Sequence, residues 1–218
     1  MNLEAIAQIA ADEMATKRSY PWKEIGEKYQ HGQSVAKLAL SLRQILFPEM
    51  TDKDNILTVA AWFHDIYNGH AAYHKIHGEK GAELVHELIK NHCTATEVEE
   101  ICGIIAVHDE LGVSTGSVLL KLHQDADILD HFGTNAVRRA MNDAARLDRS
   151  MQEAVKQMQE VNETYDVIRR SELCFELSRR IYDEKTAFVF AFADRFEVEA
   201  NGEIWNEEQL LADWDGSI

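Results

Sequence analysis

Three histidines fall on the apolar faces of three consecutive predicted helices. His31 stands four residues before Val35 and seven before Leu38, His64 seven after Leu57, and His108 ten after Val98 and three after Ile105. Each therefore projects to the side on which its helix buries hydrophobic residues. A histidine in such a place is more often a core residue bonded to a carbonyl than a ligand, but three in succession weaken that reading. Two acids accompany them. Asp65 follows His64 directly, and Asp127 borders the Leu122–Ala126–Leu129 stripe inside the run Asp125–Ala126–Asp127–Ile128–Leu129–Asp130. A carboxylate turned toward a core is costly without a compensating cation, and no Lys or Arg of suitable spacing stands in the helix that precedes Asp65. A divalent metal ion would compensate it. Imidazole nitrogens and carboxylate oxygens suit Mn, Fe, Ni, Co or Zn, and mixed His/Asp sites commonly keep a position for water or substrate.

The elements that must position these groups are helical. Pro occurs only at Pro21 and Pro48, and Ala, Leu, Glu, Gln, Lys and Arg recur throughout, which favours helices over strands. Val35, Leu38, Ala39, Leu42 and Leu46 follow one buried face up to Pro48. Thr51–Asp52–Lys53–Asp54 reads as a capped start for a helix through Leu57, Ala60, Ala61 and His64. A polar connector, Tyr67 to Gly78, precedes a helix from about Glu79 to His92. Thr94 with Glu97 forms a capping-box pattern before Val98, Ile101, Cys102 and Ile105, and Leu111 to Gly116 reads as a loop. Val118, Leu122, Ala126 and Leu129 stripe the next helix. Ser150 to Glu153 caps a long amphipathic helix, and Leu173 to Phe196 continues as helix, Phe188, Phe190, Phe192 and Phe196 included. Glu197 to Ile218, with Trp205 and Trp214, reads as a short helix packed on the body followed by a loose end. The fold class expected is all-α, one domain over 1–218.

Composition narrows the function. The chain has 218 residues, 22 Lys+Arg against 38 Asp+Glu, a net charge of −16, ten His and three Cys. That sign argues against binding nucleic-acid polymers or anionic membranes, which need a basic field, while leaving room for a small anionic substrate in a local cationic pocket. Cys93, Cys102 and Cys174 form no CxxC pair, so a disulfide framework or cysteine zinc site is not expected. Met1–Asn2–Leu3–Glu4 carries acid where a signal peptide carries base, and no apolar run approaches the roughly 18 residues of a membrane span. A cytoplasmic protein is the expectation; a homo-oligomer is compatible with it.

His31, the doublet His64–Asp65 and Asp127 are spaced like the H…HD…D signature of the HD superfamily of metal-dependent phosphohydrolases, and Asp125 to Asp130 resembles its DADxLD element, with the ADxL aspartate on Asp127. The resemblance covers roughly residues 25 to 135, leaving about 136–218 as a helical extension. Lys185, Thr186 and Asp194–Arg195–Phe196 are similar to the closing helix of small bacterial HD hydrolases. The resemblance implies a compact helical bundle in which His31, His64, Asp65 and Asp127 bind one divalent cation (Mn, Fe, Ni, Co, Zn or Mg). His77–Gly78–Glu79–Lys80–Gly81–Ala82 resembles the HPEIGA-type segment and His108–Asp109–Glu110 the HHE-type segment of members holding two metals. His77 and His108 would then be second-site ligands, with Asp65 bridging. Two departures speak against cyclic-di-GMP phosphodiesterase activity: Asn68 stands where HD-GYP members have lysine, and Asp109 where the HHE segment has its second histidine.

The activity implied is hydrolysis of a small phosphate ester or anhydride, most naturally of a nucleotide, by metal-activated water. Asp65 is the candidate for orienting or deprotonating that water. Lys75, Lys80 and Lys121 are the nearest candidate cations for substrate. Two other readings stay open: a di-iron HD-domain oxygenase, which His77 and His108 allow, and a non-catalytic helical module that binds a metal or ligand. The remaining histidines read as ordinary: His70 and His74 in a solvated loop, His123 and His131 beside the acidic run as surface groups in preference to groups supporting the ligands, His86 and His92 exposed. Arg138, Arg139, Arg146, Arg149, Arg169 and Arg170 could clamp phosphate, but their setting favours salt bridges with helical neighbours.

Overall fold

A computed structural model of the chain describes residues 1–68, 76–111, 116–212 and 214. Ten α-helices follow one another, with no strand among the described residues: α1 (Leu3–Met14), α2 (Glu27–Leu46), α3 (Asp54–Phe63), α4 (His77–Ile89), α5 (Ala95–Ala106), α6 (Val118–Asp130), α7 (Thr134–Arg146), α8 (Met151–Glu172), α9 (Glu176–Ala200) and α10 (Glu207–Ala212). None of the described helices is long and apolar enough to cross a membrane. The all-α expectation holds, and the capping boxes at Thr94/Glu97 and Ser150/Glu153 both form. Thr51–Lys53 makes a 3-10 turn rather than a capped α-helical start.

Helix α3 is the centre. Ile56, Leu57, Val59, Ala60, Ala61 and Phe63 are all buried, because α3 packs against α1, α2, α5 and α6. A helix apolar all round is one that the fold surrounds. One side of it joins a core with Ile6, Val85, Ile89, Ile101 and Ile105; the other joins Val35, Leu42, Leu122, Leu129 and Tyr182. The end of α3 therefore emerges between two cores, and that is where His64 and Asp65 sit. Helix α1, which the sequence reading assigned to no element, closes the first core with Ile6, Ala10 and Met14 at helical spacing.

The C-terminal helices build a third core, in which Val155 and Met158 of α8 meet Val189 and Ala193 of α9 under α7. Asp125, fully buried on α6, ties the start of α9 to the bundle by accepting the backbone N–H groups of Cys174 (2.7 Å) and Phe175 (3.0 Å). Asp125→Ala is expected to lower stability by about 1–3 kcal/mol, the cost of leaving buried donors unpaired, read as a lower urea midpoint at constant m. Helix α10 corrects an expectation: it has no buried residue, so it is not packed on the body. Its leucines, Leu210 and Leu211, lie more than half exposed.

Candidate metal centre

Five elements deliver their polar residues to one place. His31 comes from α2, His64 and Asp65 from the end of α3, His77 opens α4, His108 follows α5, and Asp127 lies on α6. They form two adjoining groups with Asp65 common to both. In the first, His31 Nε2 is 2.9 Å from Asp127 Oδ1, and His64 Nε2 is 3.7 Å from the same oxygen and 3.8 Å from Asp65 Oδ2. In the second, His77 Nε2 and His108 Nε2 are 3.2 Å apart, and each is 3.8 Å from Asp65 Oδ1. His31, His64, Asp65 and His108 are buried. The structure brings these six residues together, with Asp65 between the two groups.

Glycines make the approach possible. A Cβ at Gly32 would lie 2.8 Å from both Ala61 O and Trp62 O, just before the His64–Asp65 pair, and one at Gly78 would lie 2.7 Å from Ala106 O, just before His108. His31–Gly32 and His77–Gly78 thus share one device: the histidine reaches in while the glycine lets its helix touch the backbone that carries the opposing histidine.

The ring orientations are set from behind. His64 Nδ1 donates to Ala61 O (2.8 Å), His108 Nδ1 to Ile105 O (2.7 Å) and His31 Nδ1 to Asp130 Oδ2 (2.8 Å). With the Nδ1 protons committed, Nε2 is the nitrogen each ring turns into its group, and its lone pair serves a cation wherever Nε2 carries no proton, as in His64. His64 Nε2 is buried without a hydrogen-bond partner, and His31 Nε2 and Asp127 Oδ1 have only each other. Two imidazole nitrogens and a carboxylate oxygen converging in a protein interior, one of them unpartnered, are a costly arrangement and the donor set that a divalent cation satisfies. Ligand atoms of His31, His64 and Asp65, and those of Asp65, His77 and His108, lie within 4.8 Å of one another, so the residues present fit such an ion.

Electrostatics follow from burial and pairing. Burial alone would lower the His31 pKa, but Asp127 and Asp130 raise it to about 9. For His64 burial wins, lowering it to about 4. Burial opposes ionisation of Asp65, yet Lys28 and His64 hold its carboxyl well below the usual range. Lys28 is the residue that the sequence reading missed. Its Nζ pairs with Asp65 Oδ2 from α2, one turn before His31. The search for a compensating cation in the helix of Asp65 itself overlooked a partner on the neighbouring helix; the signal was that Lys28 and His31 share a face at i, i+3.

Other expectations change. His123 is not at the surface: it is fully buried, its ring edge-on to His64 at 5.0 Å, with both nitrogens unpartnered and burial holding it neutral. It lies one turn before Asp127, on the inward face of α6. His131 is exposed, as expected, yet it packs on His31 at 4.9 Å and donates from Nδ1 to Asp127 O. His86 is exposed and His92 half-buried. His70, His74 and Lys75 lie outside the described residues. Lys80 pairs with Glu83 along α4, and Lys121 sits toward Cys174 on the flank of α6. Neither reaches the cavity over the centre.

That cavity, of about 890 Å³, has Asp65, His77, His108 and Asp127 at one end and runs between α7 and α8 along Ala136, Ala140, Ala144, Ala154, Met158 and Val161. Among the described residues its Lys and Arg side chains are Lys28, Arg139, Arg149 and Arg169, and the Lys80 and Lys121 expected there are not among them. Arg138 and Arg170, by contrast, reach Glu24 and Asp183 outside their own helices, while Arg169 also pairs with Glu172 along α8, as its helical setting favours.

A short central helix that ends in His–Asp between two cores, with histidines from three flanking helices closing on it, is the HD-domain fold. No family model and no curated protein matches the sequence, but solved structures do. A predicted HD superfamily hydrolase from an uncultured Thermotogales bacterium is 23% identical, with a TM-score of 0.60 over 91% of this chain and 92% of that one. An HD-superfamily hydrolase from Bacillus thuringiensis is 19% identical, with a TM-score of 0.62 over 93% and 100%. Bacillus subtilis YpgQ in complex with ADP is 17% identical, with a TM-score of 0.59 over 88% and 96%.

Proposed function

We propose that the protein is a metal-dependent phosphohydrolase acting on a small phosphate ester or anhydride, with nucleotides the leading substrate class. The observation that carries this is the pair of His/Asp groups sharing Asp65, whose Asp65, His77, His108 and Asp127 line a cavity with cationic and apolar walls. The likeness to a structure holding ADP supports the nucleotide.

A divalent cation held by His31, His64, Asp65 and Asp127, with a second held by Asp65, His77 and His108, would lower the pKa of a water and polarise phosphoryl oxygens. Asp65 orients the attacking water, since its two oxygens face the two groups and are themselves fixed by Asn68 (2.9 Å) and Lys28. Lys28 and Arg139 offer N–H donors to the substrate anion at the cavity wall. The alanines of α7 and the Met158 side of α8 exclude water from its non-phosphate part. In this way a chain of net charge −16 accepts an anion. The three cysteines are unpaired, in keeping with a reducing cytoplasm.

The test is turnover of a nucleotide panel by chelator-stripped protein resupplied with Mn²⁺, without oxygen. Release of phosphate or pyrophosphate is expected; no turnover with Mn, Fe, Ni, Co, Zn or Mg sinks the proposal. The grouping of His77 and His108 with Asp65 favours one alternative, a di-iron oxygenase, which iron-dependent oxygen uptake would reveal. Ligand binding without turnover, unchanged by Asp65→Ala, would indicate a non-catalytic module.

Cation binding to the folded chain alone adds about 2.7 kcal/mol at a hundredfold excess over Kd. At about 2–4 °C per kcal/mol for a chain of this size, Mn²⁺ is expected to raise Tm by about 5–10 °C over EDTA-treated protein in a thermal-shift assay.

A further inference from the structure

Three buried imidazoles of the centre, His31, His64 and His108, each have an Nδ1 acceptor, and they are not held alike. His64 and His108 donate to the carbonyls of Ala61 and Ile105. Both stand just past the ends of α3 and α5, where the last carbonyls lack a helical N–H partner and are free to accept. His31 has no such carbonyl. It is the fifth residue of α2, and the carbonyls three and four residues earlier belong to Lys28 and Glu27, inside the helical ladder. Its Nδ1 proton goes instead to Asp130, a buried carboxylate that ends α6.

Asp130 is itself held on all sides. Oδ2 accepts from His31 and from Arg139 Nη2 (3.0 Å), and Oδ1 accepts from Ser34 Oγ and Asn135 Nδ2 (2.7 Å). Arg139 also donates to the Asp130 carbonyl (2.8 Å) while lining the cavity. A carboxylate behind an imidazole fixes the ring and makes its outer nitrogen a stronger donor to a cation than a carbonyl does.

We infer that Asp130 is a positioning residue for His31, and that it makes the His31–His64–Asp65–Asp127 group the tighter of the two cation sites. This rests on the metal-dependent reading above. The structural basis is local: only a carboxylate brought from α6 can do for His31 what free helix-end carbonyls do for His64 and His108.

The experiment is Mn²⁺ titration of chelator-stripped full-length protein, counting free Mn²⁺ by electron paramagnetic resonance and checking fold by circular dichroism. Wild type is expected to take up two ions with unequal affinity. Asp130→Ala should weaken the tighter site about 10- to 100-fold, the usual effect of losing such an outer partner, and leave the weaker site nearly unchanged. Asp130→Asn keeps shape and an acceptor without the charge and should lose less; it decides the matter if the alanine variant does not fold. Native spectra with both affinities unchanged, or with both falling equally, overturn the inference. If wild type hydrolyses nucleotides with Mn²⁺ and the Asp130 variants bind the ion as it does, only the inference falls. Wild type that takes up no divalent ion overturns both it and the hydrolase reading.

Discussion

Replacing Asp65 by alanine is expected to lower kcat/KM by about 10²- to 10⁴-fold, the usual contribution of a positioned acid–base group, and to cut bound metal from two ions per chain to one or none. The double effect follows from geometry. Asp65 Oδ2 faces His64 and Lys28, and Oδ1 faces His77 and His108, so one truncation removes a donor from both groups. It also leaves Lys28 without its partner. Removing one member of a buried ion pair costs about 3–5 kcal/mol, but Lys28 lines the cavity and can turn to solvent, so the stability loss should fall short of that. Elemental analysis, nucleotide turnover and a urea midpoint on the same preparation check the three parts. Unchanged metal content with lost activity would confine Asp65 to the water and remove it from ligation.

The second large effect is structural and has a built-in control of opposite sign. Alanine favours a helix over glycine by about 1 kcal/mol, so Gly→Ala within a helix stabilises unless the new methyl has nowhere to go. At Gly103, exposed on α5, a Cβ meets nothing within 4 Å, and Gly103→Ala is expected to stabilise by about 0.5–1 kcal/mol. At Gly32 the methyl would meet the carbonyl oxygens of Ala61 and Trp62 at 2.8 Å. Backbone in a packed helix cannot swing aside, so α2 must move off α3. Overpacking of this kind costs about 1–3 kcal/mol, and here it also draws His31 away from His64. Gly32→Ala should lower both the urea midpoint and the Mn²⁺ affinity, while Gly103→Ala raises the first and leaves the second alone. A Gly32→Ala protein as stable as wild type would refute the close-approach argument.

Much of the centre was legible because its residues obey helical arithmetic. His31 and His64 fall on apolar stripes and Asp127 borders one, while their grouping into one site was what the resemblance to the H…HD…D signature implied. The partners that tune the centre were not legible in the same way. Lys28 and Asp130 compensate and orient groups that stand 37 and 99 residues away in sequence, and no periodicity within one helix encodes a contact between two. His123 was misplaced for a related reason: flanked by an acidic run, it looked solvated, yet α6 is covered on that side by α3 and α5.

The cavity shows the division most clearly. The amphipathic pattern of α8 and the Ser150/Glu153 cap that begins it are local properties, and the sequence alone determined them, together with the all-helical class. Which arginines face the cavity was decided by tertiary packing. Arg139 and Arg149 line the cavity, while Arg138 turns to Glu24 and Arg170 to Asp183. Charged side chains on a helix surface take their role from whatever packs opposite them, and what packs opposite is set by how the α8–α9 pair docks on α6 and α7. Apolar burial is written into the spacing of a single chain segment; charge pairing across segments exists only once the segments have met.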